Sequence, residues 1–109
     1  GYDEFSEIKR FYMNVKIVKA KNNAGLFFDR INYSINETLK IINLDQNIKK
    51  LKSVGCAYAY FENIIAQKFK KIKVECFDRS EITAILNKQE FPLSNINFFF
   101  GDIIDFVSK

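Results

Sequence analysis

The chain has 109 residues, 48% hydrophobic and 28% charged, with a formal net charge of +4. These values fit one globular domain with a real core and exclude the low-hydrophobicity, high-charge profile of disorder. Histidine is absent, which excludes Ser–His and Cys–His catalytic sets, Arg/His ribonuclease pairs and nearly all His-ligated metal sites.

Lys, Asn and Ile dominate the composition, a pattern that AT-rich coding also produces. No run approaches the ~20 apolar residues that span a bilayer, and residues 2–7 are too acidic and polar for a secretory signal. Gly1 stands where a methionine would start a chain and is read as a cleavage scar or the start of an excised domain. Cys56 and Cys76 are read as reduced, half-buried thiols, since two cysteines without histidine do not make a zinc site.

In chain order, residues 3–20 place Phe5, Ile8, Phe11, Tyr12, Val15 and Val18 at helical spacing. Acidic residues cluster near the start of that segment and lysines near its end, as a helix dipole favours. A rival pattern, Phe11, Met13, Val15, Ile17, alternates like a strand. Residues 22–25 read as a turn. Residues 26–44 resume helical spacing through Phe28, Ile31, Ile35, Leu39 and Ile42, with Asn32, Asn36, Lys40 and Asn43 opposite. Asp45 reads as the N-cap of a short helix through Ile48, Leu51 and Val54, closed by Gly55. Residues 57–72 form the next predicted helix, with Ala57, Phe61, Ile64, Ile65 and Ile72 on one stripe. Lys68 falls on that stripe, its stem packed and its ammonium snorkelling outward.

Residues 74–78 read as a connector or a stub of strand. Ser80 is a good N-cap for residues 81–87, and Pro92 forces Phe91 out of the helical region. Ser94 caps a last predicted helix with Ile96, Phe99, Phe100, Ile103 and Val107 on one face and Gly101 as a kink. The fold expectation is therefore all-α: one compact domain over residues 1–109, a bundle of five or six helices. The alternative is α+β, with short strands near residues 11–18 and 72–77.

No catalytic motif emerges, because Gly25, Gly55 and Gly101 stand alone and no G-x-S-x-G or C-x-x-C occurs. No cofactor or metal is implied, and the chain is read as non-enzymatic. Asp102 and Asp105 sit i, i+3 on the last predicted helix, a spacing that serves a hard cation only if other ligands join. Charge is uneven: residues 1–39 carry +1, residues 40–73 carry +6 and residues 74–109 carry −3. The basic block includes Lys49, Lys50 and Lys52, then Lys68, Lys70, Lys71 and Lys73. It would attract phosphates or an acidic protein surface. Tyr58 and Tyr60 lie between the two lysine groups, where exposed tyrosines would serve as stacking platforms or interface anchors. Partner-binding candidates are accordingly Lys49, Lys50, Lys52, Tyr58, Tyr60, Lys68, Lys70, Lys71, Asp102 and Asp105.

The composition and size fit a non-catalytic protein-binding module in the cytoplasm, such as an immunity protein or antitoxin that neutralises a bacterial toxin. The alternatives are a nucleic-acid-binding regulatory domain using Lys49 to Lys73, or a helical assembly domain cut from a larger protein. A membrane partner is not expected, and the sequence leaves the oligomeric state open.

Overall fold

A computed structural model describes Arg10 and residues 25–56 and 58–108; residues 25–31 are described by their backbone alone. The predicted helix at 3–20 and its rival strand at 11–18 lie, apart from Arg10, outside the described residues. The expected all-α bundle is not what the chain forms. Among the described residues, four helices accompany a three-stranded parallel sheet, an α+β fold in the broad sense whose strands alternate with helices. The order is α1 (Gly25–Leu44), β1 (Lys50–Val54), α2 (Tyr60–Lys68), β2 (Lys73–Phe77), α3 (Glu81–Glu90), β3 (Ile96–Phe99) and α4 (Ile103–Ser108).

Helix α1 follows the sequence pattern. Ile35 and Ile42 are buried, Leu39 packs beside them, and Asn32, Asn36, Lys40 and Asn43 face outward. Asp45 does not cap a helix. Its Oδ1 accepts from the Asn47 backbone N–H at 2.9 Å, a local turn that delivers the chain into β1. The predicted helix through Leu51 and Val54 is a strand: residues three apart imitate one helical face, but here they fall on opposite faces of the sheet and pair with Val74 and Phe77 of β2.

Helix α2 is shorter than the predicted 57–72 span. It starts after Ala59, without a side-chain cap, and stops at Phe69. Strand β2 lies where the alternative reading placed a stub. Helix α3 has the predicted N-cap, with the Thr83 N–H donating to Ser80 Oγ at 3.4 Å. It ends at Phe91 (φ −127°, ψ 76°), which the following Pro92 keeps out of the helical region. The predicted helix beyond Ser94 is instead β3, then a break, then α4. Ile96 and Phe98 are buried while Asn97 and Phe99 are exposed, a period of two. Gly101 is not a kink within a helix; at φ +108° it turns the chain between strand and helix.

The strands pair in the order β1-β2-β3, with Lys52↔Glu75↔Asn97 and Val54↔Phe77↔Phe99 in register. One sheet face presents Leu51, Ser53, Val74, Cys76, Ile96 and Phe98 and packs on Ile65, Ala66 and Ala84 of α2 and α3. Val74 and Cys76 are fully buried there. The other face carries Lys50, Lys52, Glu75 and Phe99. Its carboxyl end is covered by Phe106 of α4, whose ring lies 5.3 Å from Phe77 and 5.6 Å from Phe99. Among the described residues no helix is long and apolar enough to cross a membrane.

Asn95 ties these layers together. Its Nδ2 donates to the carbonyls of Ala66 (2.9 Å), Phe69 (3.1 Å) and Ile72 (3.0 Å), and its own carbonyl accepts from the Val74 N–H at 2.8 Å. Its two hydrogens are shared among one carbonyl of the last turn of α2, Ala66, and two of the turn that follows, where Phe69 O also accepts from the Ile72 N–H at 3.0 Å. Asn95→Ala is expected to lower unfolding stability by about 2–3 kcal/mol, because several part-buried carbonyls lose their donor at once. Urea denaturation measures this.

Candidate functional site

In an open parallel sheet the strands all point one way, so the loops at their carboxyl ends cluster, and open α/β sheets bind their ligands at that end. Here three such loops follow β1, β2 and β3. Backbone hydrogen bonds stitch them into one rim. Gly55 N–H (2.8 Å) and Cys56 N–H (3.0 Å) both donate to Phe77 O, and Asp78 N–H donates to Phe99 O at 3.1 Å. The rim therefore runs Gly55–Cys56, then Phe77–Asp78, then Phe99–Gly101–Asp102.

Gly55 has φ +74°, which non-glycine residues rarely adopt. A Cβ built on it would meet no described atom within 4 Å, so backbone conformation rather than crowding demands glycine here. The turn leads into α2, whose first turn carries Glu62. That carboxyl group is buried and accepts from Ser53 Oγ at 2.7 Å. Burial raises its pKa above the ordinary glutamate value, and the Ser53 hydrogen bond opposes the shift only in part.

Asn87 of α3 fixes the same loop from the other side. It is fully buried; its Oδ1 accepts from the Ala59 N–H (3.4 Å) and its Nδ2 approaches Cys56 Sγ (3.8 Å). Cys56 and Cys76 are free, buried thiols. The Cys76 thiol is pushed well up, first by its hydrogen bond with Cys56 and then by burial, and stays protonated. Asp78 closes the rim at the end of β2, where its Oδ1 accepts from the Ser80 N–H at 3.1 Å. Asp102 caps α4 through its Oδ1, which accepts from the Ile104 N–H at 2.8 Å. Carboxylates at this end comprise Glu62, Asp78, Glu81 and Asp102, with Arg79 as a cation beside them.

The sequence-derived candidates divide among three places. Lys49, Lys50, Lys68, Lys70 and Lys71 gather at the opposite, amino end of the sheet. Beside them is a concavity of about 290 Å³ lined by Ile48, Phe69, Asn43 and Gln46 among others. Lys52 projects on the open sheet face instead. There its Nζ donates to Phe106 O (2.6 Å) and lies 5.1 Å from the Phe106 ring centroid. Asp102 and Asp105 border a groove of about 340 Å³ on that face, with Lys50, Lys52 and Glu75. Lys50 and Glu75 form an ion pair at 3.4 Å.

Tyr58 is not an exposed platform. It is buried, stacks edge-on against Phe91 at 5.3 Å and donates to Glu90 at 3.3 Å. Burial first and the Glu90 charge second push its phenol up to about 12. Tyr60 is half-buried at the start of α2, whereas Tyr33 is exposed. Among the described residues no three His, Cys, Asp or Glu side chains converge as a metal site requires. Compared with protein-family models and with the curated proteins, the chain matches none.

Sequence reading missed that the Gly55 turn bonds to Phe77, the residue before Asp78, which follows Gly55 by twenty-three positions. A glycine turn between strand and helix with an acidic residue about 20 positions on is a readable signal. Reading β1 as a helix hid it.

Glu62 yields a pH-dependent test. A carboxyl whose folded pKa is raised contributes stability below its unfolded pKa and loses it as pH rises through the folded value. Glu62→Gln is therefore expected to be more stable than the parent chain at neutral pH, the advantage shrinking as the medium is acidified. Urea denaturation at a series of pH values reads this out.

Proposed function

We propose that the carboxyl end of the sheet binds a nucleoside cofactor that carries positive charge rather than a diphosphate, S-adenosylmethionine being the representative, and that the domain serves methyl transfer. The observation that carries this reading is the contact between the Gly55 turn and the end of β2, through Phe77 O, which sets Asp78 beside the turn. The β1-α2-β2-α3-β3 run is the βαβαβ unit from which nucleotide-binding sheets are built. In that unit an acidic residue at the end of the second strand accepts hydrogen bonds from ribose hydroxyls.

Three features argue against a dinucleotide. Read from Gly55, the chain has Ala57 where a G-x-G-x-x-G cradle has its second glycine, the one that lets a diphosphate approach the backbone, and Tyr60 where it has its third. The Ala59 N–H is occupied by Asn87 rather than offered to a phosphate. The rim is rich in carboxylates, which repel a diphosphate and attract a cation. When bound, a sulfonium nucleoside supplies a methyl carbon activated by the adjacent positive sulfur. The residues described here bind and orient: Gly55 admits close approach, Asp78 holds the ribose, and Asn87 keeps the loop in place.

The toxin-inhibitor expectation drew on size, missing catalytic motifs, uneven charge and surface tyrosines together with a helical build, and of these the three-stranded sheet corrects the all-helical build. Free thiols at Cys56 and Cys76 support a reducing, cytoplasmic setting.

Isothermal titration calorimetry tests the proposal. S-adenosylmethionine or S-adenosylhomocysteine is expected to bind, with NAD and ATP at least tenfold weaker. Asp78→Asn keeps an oxygen for the Ser80 turn but loses the charge, and is expected to weaken binding about 10- to 100-fold, as for a hydrogen bond to a charged group. Tighter binding of NAD, or no heat with any nucleoside, overturns the reading.

A further inference from the structure

The fold gathers the basic part of the sequence at one end of the sheet. Lys49 precedes β1 and Lys50 opens it; Lys68 ends α2; Lys70 and Lys71 occupy the turn; Lys73 opens β2. All six are exposed. The Lys73 N–H donates to Lys49 O at 2.9 Å, and Lys50 and Lys73 face each other in the strand register, so the two lysine groups are immediate neighbours in space. Among the described residues only Lys50 of the six has an ion-pair partner, Glu75. Like charges set opposite one another across a sheet destabilise it.

These lysines outnumber what a helix end calls for. One cation near the end of α2 satisfies its dipole. The carbonyls there already have a donor, because Asn95 serves Ala66, Phe69 and Ile72. Lys68, Lys70 and Lys71 line the concavity of about 290 Å³, where Asn43 and Gln46 add amide groups and Asp45 a single carboxylate against the three cations.

We propose that this amino-end rim binds the phosphodiester backbone of a nucleic acid without reading its sequence. The chemistry favours a phosphate backbone over an acidic protein. Protein interfaces are enriched in Arg, Tyr, Trp and Phe and depleted in Lys. This rim has no arginine and no exposed aromatic side chain among its described residues, and its cations are all lysines, which serve phosphates as point charges. Without arginine it lacks the side chain that most often reads base edges. The site is separate from the nucleoside site: a five-residue strand puts the two rims about 17 Å apart. It does not depend on the cofactor reading.

Fluorescence anisotropy with labelled oligouridylate and a labelled DNA duplex tests it. With four phosphate contacts on a single strand, affinity is expected to fall about 50-fold between 50 and 200 mM salt, from a slope of roughly −0.7 per phosphate. The exposed set Lys68→Gln, Lys70→Gln, Lys71→Gln and Lys73→Gln together is expected to abolish binding while the circular dichroism spectrum is unchanged. Lys71→Gln alone is expected to reduce the slope by about 0.7. Arg79→Gln, at the opposite rim, is expected to leave both affinity and slope unchanged. Comparing the two probes shows whether single strands or duplexes are preferred. No binding to either at 50 mM salt, equal loss from Arg79→Gln and Lys71→Gln, or better competition by polyglutamate than by unlabelled RNA overturns the proposal.

Discussion

Strand β2 is the constraint on which the rest of the structure depends. It is flanked by parallel partners on both sides, and its Val74 and Cys76 side chains are fully buried. A parallel strand is joined to its neighbour only by a crossover, and a helix is the usual one. Two such crossovers, α2 and α3, are therefore required on either side of β2 in the chain. Their Ile65, Ala66 and Ala84 close over the sheet face that β2 anchors.

That arrangement makes the domain polar along its strands. Every β-to-α loop falls at one end and every α-to-β connection at the other. The carboxylates of Glu62, Asp78, Glu81 and Asp102 collect at the first end, and six lysines collect at the second. The helix dipoles run with this separation: acidic Glu62 and Glu81 lie in first turns, and basic Lys68 and Lys88 in last turns. Acid thus predominates at one end and base at the other, although Asp45 and Glu90 lie at the lysine end.

Much of the local structure was legible from sequence where one period dominated. Helix α1 shows this through Ile35, Leu39 and Ile42, and α3 through its Ser80 cap and the Pro92 stop. The strands were not, for a physical reason. Leu51 and Val54, and then Ile96, Phe99 and Phe100, sit at separations that a helix also satisfies. Strands of four or five residues are too short for alternation to outweigh that coincidence. Buried parallel strands also tolerate apolar residues on both faces, as Cys76 and Phe77 do, which blurs the pattern further. The misread strands carried the site away with them. Gly55 looked like a helix stop, and Asp78 looked like part of a cap; only adjacent strands make them neighbours. The lysine block, by contrast, was visible as charge along the chain, although Lys52 belongs to another surface and Tyr58 to the core.

The three carbonyls held by Asn95 have a consequence for how the domain opens. Asn95 immediately precedes β3, an edge strand of the described sheet, where fraying would ordinarily be cheap. Yet releasing it also frees the end of α2 and the entry into β2. Peripheral opening is thereby coupled to the centre, so β3 exchanges its amide hydrogens as part of the same cooperative unit rather than as a loose margin.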